Sequence, residues 1–184
     1  MSAFEYLSVF LSLIMGLAVV HLLGGISLIL DQRVTARLSG IHLTWVANMF
    51  LVIMWVWWAN WDLEQIDVFS PLHYVSMVLF SVVLYLMCGL LFPVRGKEVE
   101  DFHEQFEMNR SRFFVLGLAL ILAAAIKGYV DRVVLEEPHT TERFIMLTTL
   151  AVLFGIAART SNNRFHWPLA VGFLLLTVRW ITTE

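Results

Sequence analysis

Four polar side chains, His21, Asn48, Tyr85 and Thr149, each interrupt a long hydrophobic run. Each lies about seven to ten residues from the same end of its run, so at 1.5 Å per residue their depths agree within about 5 Å. Polar groups at that depth in a membrane are costly and commonly functional. Imidazole titrates near neutral pH, so a layer of these four residues has the chemistry of a pore constriction or a proton-sensitive gate centred on His21. The plainer role is a core histidine hydrogen-bonded to Asn48 or Tyr85. Bis-histidine haem ligation would need a second histidine at the depth of His21, whereas His42 and His166 fall at one surface and His73 at the other.

A second polar layer lies towards the opposite surface: Glu5, Asn60, His73, Lys127 and Arg179. Lys127 precedes Asp131 by one helical turn, which makes an i,i+4 ion pair available, and Glu5 can pair with Lys127 or Arg179. These are expected to be ion pairs near the outer face, where long cationic side chains reach water, or the lining of an outward-facing mouth.

Other chemistry finds no motif. There is no glycine-rich phosphate loop, no H-E-x-x-H pair and no G-x-S-x-G elbow. Mid-run carboxylate pairs, an arginine ladder and a T-V-G-Y-G filter are also missing. The lone Cys88 excludes a disulfide within the chain and a four-thiolate zinc site. The net charge of −3 offers no basic field for nucleic acid. No metal or cofactor is expected, and enzymatic activity is not favoured.

The elements that must position these residues follow from composition. Of 184 residues, 59% are hydrophobic and 15% charged, and the mean hydropathy is +0.78. That is too apolar for an ordinary soluble domain of this length. Runs long enough to cross a hydrocarbon core of about 30 Å occur at about 4–30, 41–61, 71–93, 112–130, 143–159 and 166–182. They lack period-2 alternation, so the expected fold is all-α, a single integral membrane bundle of six transmembrane helices. Pro71 and Pro168 suit the first turns of runs three and six. The chain start has no basic residue before Arg33, so run one is expected to be retained as a helix rather than cleaved.

Charge sets the expected orientation. Arg33, Arg37, Arg95, Lys97, Arg110, Arg112, Arg159 and Arg164 lie in the odd-numbered connections. Only Arg132 and Arg143 lie in the even ones, among Asp62, Glu64, Asp67, Asp131, Glu136, Glu137 and Glu142. The positive-inside rule therefore puts both termini on the outer, periplasmic side of a bacterial inner membrane. Trp55, Trp57, Trp58, Trp61 and Trp180 at outer run ends, and Trp45 and Trp167 at inner ends, fit interfacial belts.

Between runs three and four, Val99, Phe102 and Phe106 share a face, so an interfacial helix is expected over about 98–109. Its carboxylates and His103 form a solvated face. Run one carries a stripe of Glu5, Ser8, Ser12 and Gly16 opposite His21 and Gly25. Two faces suited to close helix contact predict a central position for it, with His21 buried. The expected function is a small channel or transporter with a buried polar layer around His21. The alternative is a non-catalytic subunit or scaffold that packs on other membrane proteins or on its own copies. A haem protein or integral membrane enzyme comes third. The bilayer itself is the one partner implied throughout.

Overall fold

The computed structural model describes residues 3–31, 37–61, 64, 70–92, 101–135 and 141–183. These form six helices: α1 (Ala3–Leu30), α2 (Gly40–Ala59), α3 (Pro71–Leu91), α4 (Phe102–Leu135), α5 (Thr141–Arg159) and α6 (Asn163–Thr183). All six are long and apolar enough to cross a membrane, the architecture of a multi-pass membrane protein. The loop charges Arg33, Arg95, Lys97, Asp62, Asp67, Glu136 and Glu137 lie outside the described residues, as does the side chain of Asp131.

Short polar side chains start the helices. The Ser39 hydroxyl accepts from the His42 N–H at 3.4 Å, and the Ser70 hydroxyl accepts from the His73 N–H at 3.1 Å, one residue before Pro71. Asp101 Oδ1 accepts from the His103 N–H at 2.6 Å, and Asn162 Oδ1 accepts from the Arg164 N–H at 3.0 Å. Each cap satisfies a first-turn N–H that has no partner within its helix. The Asn162 cap starts α6 earlier than the apolar run does. Pro168 consequently falls inside the helix rather than in its first turn, and the Arg164 carbonyl loses its usual N–H partner.

The helices close a ring in the order α1, α3, α4, α5, α6, α2, and α2 also touches α3 and α4 across it. The start of α1 meets the end of α2 around Phe4, Ser8, Asn60 and Trp61. Trp55 stacks on Trp180 at the ends of α2 and α6, with ring centroids 5.0 Å apart. The beginning of α1 and the end of α6 thus share one end of the bundle, called here the terminal end. At the opposite end the backbones of Arg37 and Asp101 form an isolated parallel β-bridge, in which the Phe102 N–H donates to the Arg37 carbonyl.

Two expectations about elements are corrected here. First, α1 is peripheral: among the described helices it touches only α2 and α3. Of its membrane-length window 22% is buried, against 50% for α2, so α2 is the central helix. The buried face of α1 is the aliphatic seam Leu7, Leu11, Met15, Ala18 and Leu22, spaced like a coiled-coil stripe. Neither small-residue stripe packs along its length: Ser8 and Ser12 border the end of α2 at the terminal end, and Gly25 sits in the buried seam. The space beside Gly16 and Gly24 is open, and only Gly25 is closed, by the Phe92 ring. Second, residues 102–109 are not a separate interfacial helix. They are the first turns of α4, which has 34 residues and is about 51 Å long. Phe102 and Phe106 are buried against the bundle rather than turned to lipid headgroups. Residues 98–100 lie outside the described residues.

Candidate functional site: a wedge between α5 and α6

The polar layer expected around His21 does not assemble. Asn48 is fully buried and donates from Nδ2 to the Ala170 carbonyl at 3.0 Å, tying α2 to α6. His21 is half-buried and sets its ring edge towards Phe92, at a centroid distance of 6.4 Å. Tyr85 is 37% exposed on the outside of α3. Thr149 is exposed on α5, its hydroxyl donating to the Ile145 carbonyl at 2.8 Å. Residue count alone puts the four at about one depth. Helix rotation turned Tyr85 and Thr149 away from the others.

Buried polarity lies instead where the sequence suggested surface. His42 and His166 are both 0% exposed. His42 Nε2 is 2.6 Å from the Leu91 carbonyl, and His166 Nε2 is 2.8 Å from the Thr160 carbonyl. A carbonyl oxygen only accepts, so each Nε2 carries the hydrogen. Each Nδ1 is a buried nitrogen without a partner among the described residues. Both rings lie among aromatics, His42 stacked on Phe102 and His166 on Phe114. Both therefore act as staples between helix ends. No group of three or more metal-ligating side chains occurs among the described residues.

Trp45 is a further correction. It is not an interfacial anchor but the hub of the core, fully buried. The rings of Phe113, Phe114, Phe154 and Phe173 surround it at 5.2–5.8 Å. The signal that could have found it is the set of aromatic residues placed at one depth on α4, α5 and α6. Trp57, Trp58 and Trp61 are exposed near the terminal end, where belt residues belong.

Above this aromatic plug the bundle opens. Helices α5 and α6 touch least of all neighbouring pairs. They are held together beside their connecting turn, where Arg110 of α4 donates to the Ala157 and Thr160 carbonyls and pairs with Glu107 at 3.0 Å. Away from the turn they diverge. A half-enclosed cavity of about 570 Å³ lies between them and the inner faces of α2, α3 and α4, within the range of small-molecule pockets. Met87, Gly117 and Phe154 form its floor, and a Cβ at Gly117 would overlap the Phe154 ring. Leu120, Ile121, Leu147, Leu150 and Leu176 line its walls. From Phe154 to Arg143 it follows α5 for about 16 Å, roughly half a hydrocarbon core.

The mouth is polar. Arg132, Arg143, Arg179 and Glu142 line it, beside the stacked Trp55 and Trp180. Arg143 is seated on α4: its Nη2 donates to the Ala124 carbonyl at 3.5 Å, and its guanidinium lies over Gly128, where any Cβ would overlap it. Of the residues expected in the outer polar layer, Arg179 lines this mouth, Lys127 is half-buried on α4, and Glu5 stands exposed in the first turn of α1.

Neither protein-family models, nor curated proteins, nor solved structures contain a match to this chain.

Proposed function

We propose that the protein binds the hydrocarbon chain of a bilayer amphiphile in the wedge between α5 and α6. One observation carries this reading: an apolar cavity, lined by aliphatic, aromatic and methionine side chains and about one leaflet deep, inside a membrane-length bundle, with its charged side chains confined to the mouth. A water-filled pore would need polar groups along its length, and the cavity walls here are apolar. An apolar cavity of this kind is lined for alkyl chains, and the weak α5–α6 contact supplies a lateral way in from the bilayer. The function is thus receiving or carrying an amphiphile, a transporter reading in which His21 has no part. The charge asymmetry of the connections supports a mouth facing the outer leaflet.

The test is mild-detergent purification followed by native mass spectrometry. The protein is expected to retain lipid-mass adducts. Filling the wedge with Leu150→Trp, or separately Leu176→Trp, is expected to remove them while the protein stays monodisperse. Adducts unchanged in both folded variants would refute the wedge as the binding site.

A further inference from the structure

The floor of the wedge is held by several residues at once. Phe154 of α5 occupies the space that a Cβ at Gly117 of α4 would need. Its ring meets Phe114 edge-on at 5.3 Å and lies 5.8 Å from both Trp45 and Phe173. Phe173 belongs to α6, so at this level two rings shut the gap between α5 and α6. Trp45 beneath them is fully buried. Rings packed in this way do not swing aside to lengthen a cavity.

A closed floor gives the cavity a finite capacity. A fully extended chain advances about 1.2 Å per bond, so the wall from Arg143 to Phe154, about 16 Å long, admits about thirteen bonds. At about 30 Å³ per water-sized group, the volume of about 570 Å³ holds roughly nineteen methylenes. The first figure is the reach of a straight chain, and the second is the content of a loosely coiled one.

We propose that Phe154 makes the wedge a gauge of chain length, which takes one unbranched hydrocarbon chain of up to about eighteen carbons and excludes longer ones. The proposal rests on reading the wedge as a hydrocarbon pocket, and it asks nothing of the charges at the mouth. A longer chain has two ways to enter. Lifting its headgroup above the rim leaves methylenes in water, which costs about fourfold in affinity for each. Doubling back puts two lengths of chain where there is volume for one. A much shorter chain leaves the floor bare and forfeits its contacts with the rings there.

The experiment offers the whole protein, freed of lipid, an equimolar set of lysophosphatidylcholines in mixed micelles. Their saturated chains run from twelve to twenty-four carbons, and native mass spectrometry reads which are bound. The headgroup is common to the set, so the bound ratios report the chain alone. Only adducts removed by Leu176→Trp are scored. Chains of fourteen to eighteen carbons are expected to bind, with the twenty-four-carbon chain depleted roughly tenfold relative to the supplied mixture. Leu150→Phe sets a ring one turn above the floor and is expected to move the cut-off to shorter chains. Phe154→Leu shortens the floor residue and is expected to move it to longer ones. A bound distribution that copies the supplied one would overturn the gauge and leave the pocket standing. A cut-off that stays in place in every variant that folds would overturn the assignment to Phe154. Absence of wedge-dependent adducts at any length would instead overturn the pocket itself.

Discussion

Trp45 and Asn48, one turn apart on α2, occupy the middle of the bundle on different terms. Trp45 fills volume among four phenylalanine rings, and its indole N–H has no partner among the described residues. Trp45→Ala is expected to cost about 3–5 kcal/mol, as large aromatic truncations in a core do. Trp45→Phe should cost less, because it retains a ring and removes the orphaned donor. Asn48 makes one hydrogen bond through Nδ2 and leaves Oδ1 unpaired. Losing the bond and removing the bare acceptor oppose one another, so Asn48→Leu is expected to change stability by about 1 kcal/mol or less. Thermal unfolding in detergent, followed by tryptophan emission or by circular dichroism, orders these variants. A larger loss for Asn48→Leu than for Trp45→Ala would contradict this account. Residue type alone marked Asn48 as a buried polar group. It misassigned Trp45, because a tryptophan near a run end serves equally as belt or core, and the choice depends on which neighbours surround the ring.

At the scale of elements, single side chains hold whole helices in place. Arg110 anchors the α5–α6 turn to α4 through the Ala157 and Thr160 carbonyls. Hydrogen bonds to charged groups contribute about 1.5–3 kcal/mol each. Arg110→Ala is therefore expected to destabilise the turn locally, read as faster hydrogen exchange across residues 157–166 while α1 and α3 keep their protection. Uniform loss of protection would argue for a global rather than a local role. Gly25 does similar work for α1, since the Phe92 ring occupies the space a side chain would need. Gly25→Val is expected to release the last turns of α1 from α3, read as faster hydrogen exchange across residues 24–30 while α4 and α5 keep their protection. Helix lengths were only partly legible in the sequence. Hydropathy finds membrane-length runs, but α4 extends past its run because Phe102 and Phe106 pack on neighbouring helices, and no local pattern distinguishes that packing from docking on a membrane surface. The central place expected for α1 failed for a related reason. Small residues permit close approach but do not supply a partner.

For the molecule as a whole, the arrangement separates a tightly filled aromatic end, around His42, Trp45 and His166, from an open terminal end that holds the wedge. Orientation is tested by single cysteines at Glu64 and Ser161, both exposed, in a Cys88→Ala background. The cysteine at Glu64 is expected to react with an impermeant thiol reagent in intact cells, and the one at Ser161 only after permeabilisation. The reverse pattern would invert the proposed topology and put the wedge in the inner leaflet. Composition and charge placement by themselves determined the all-helical class, the number of membrane-length helices and the expected direction of insertion, because hydrophobic length and loop charge are sums over local sequence. They could not determine which polar groups converge. That depends on the rotation of each helix about its axis and on the order in which the helices pack, and both are settled by contacts between residues far apart in the chain. His21, Asn48, Tyr85 and Thr149 fall at one depth by residue count, but Tyr85 and Thr149 are exposed while Asn48 is buried. Arg132 of α4, Arg143 of α5 and Arg179 of α6 reach one rim because three helices pack around one cavity, which no single helix encodes.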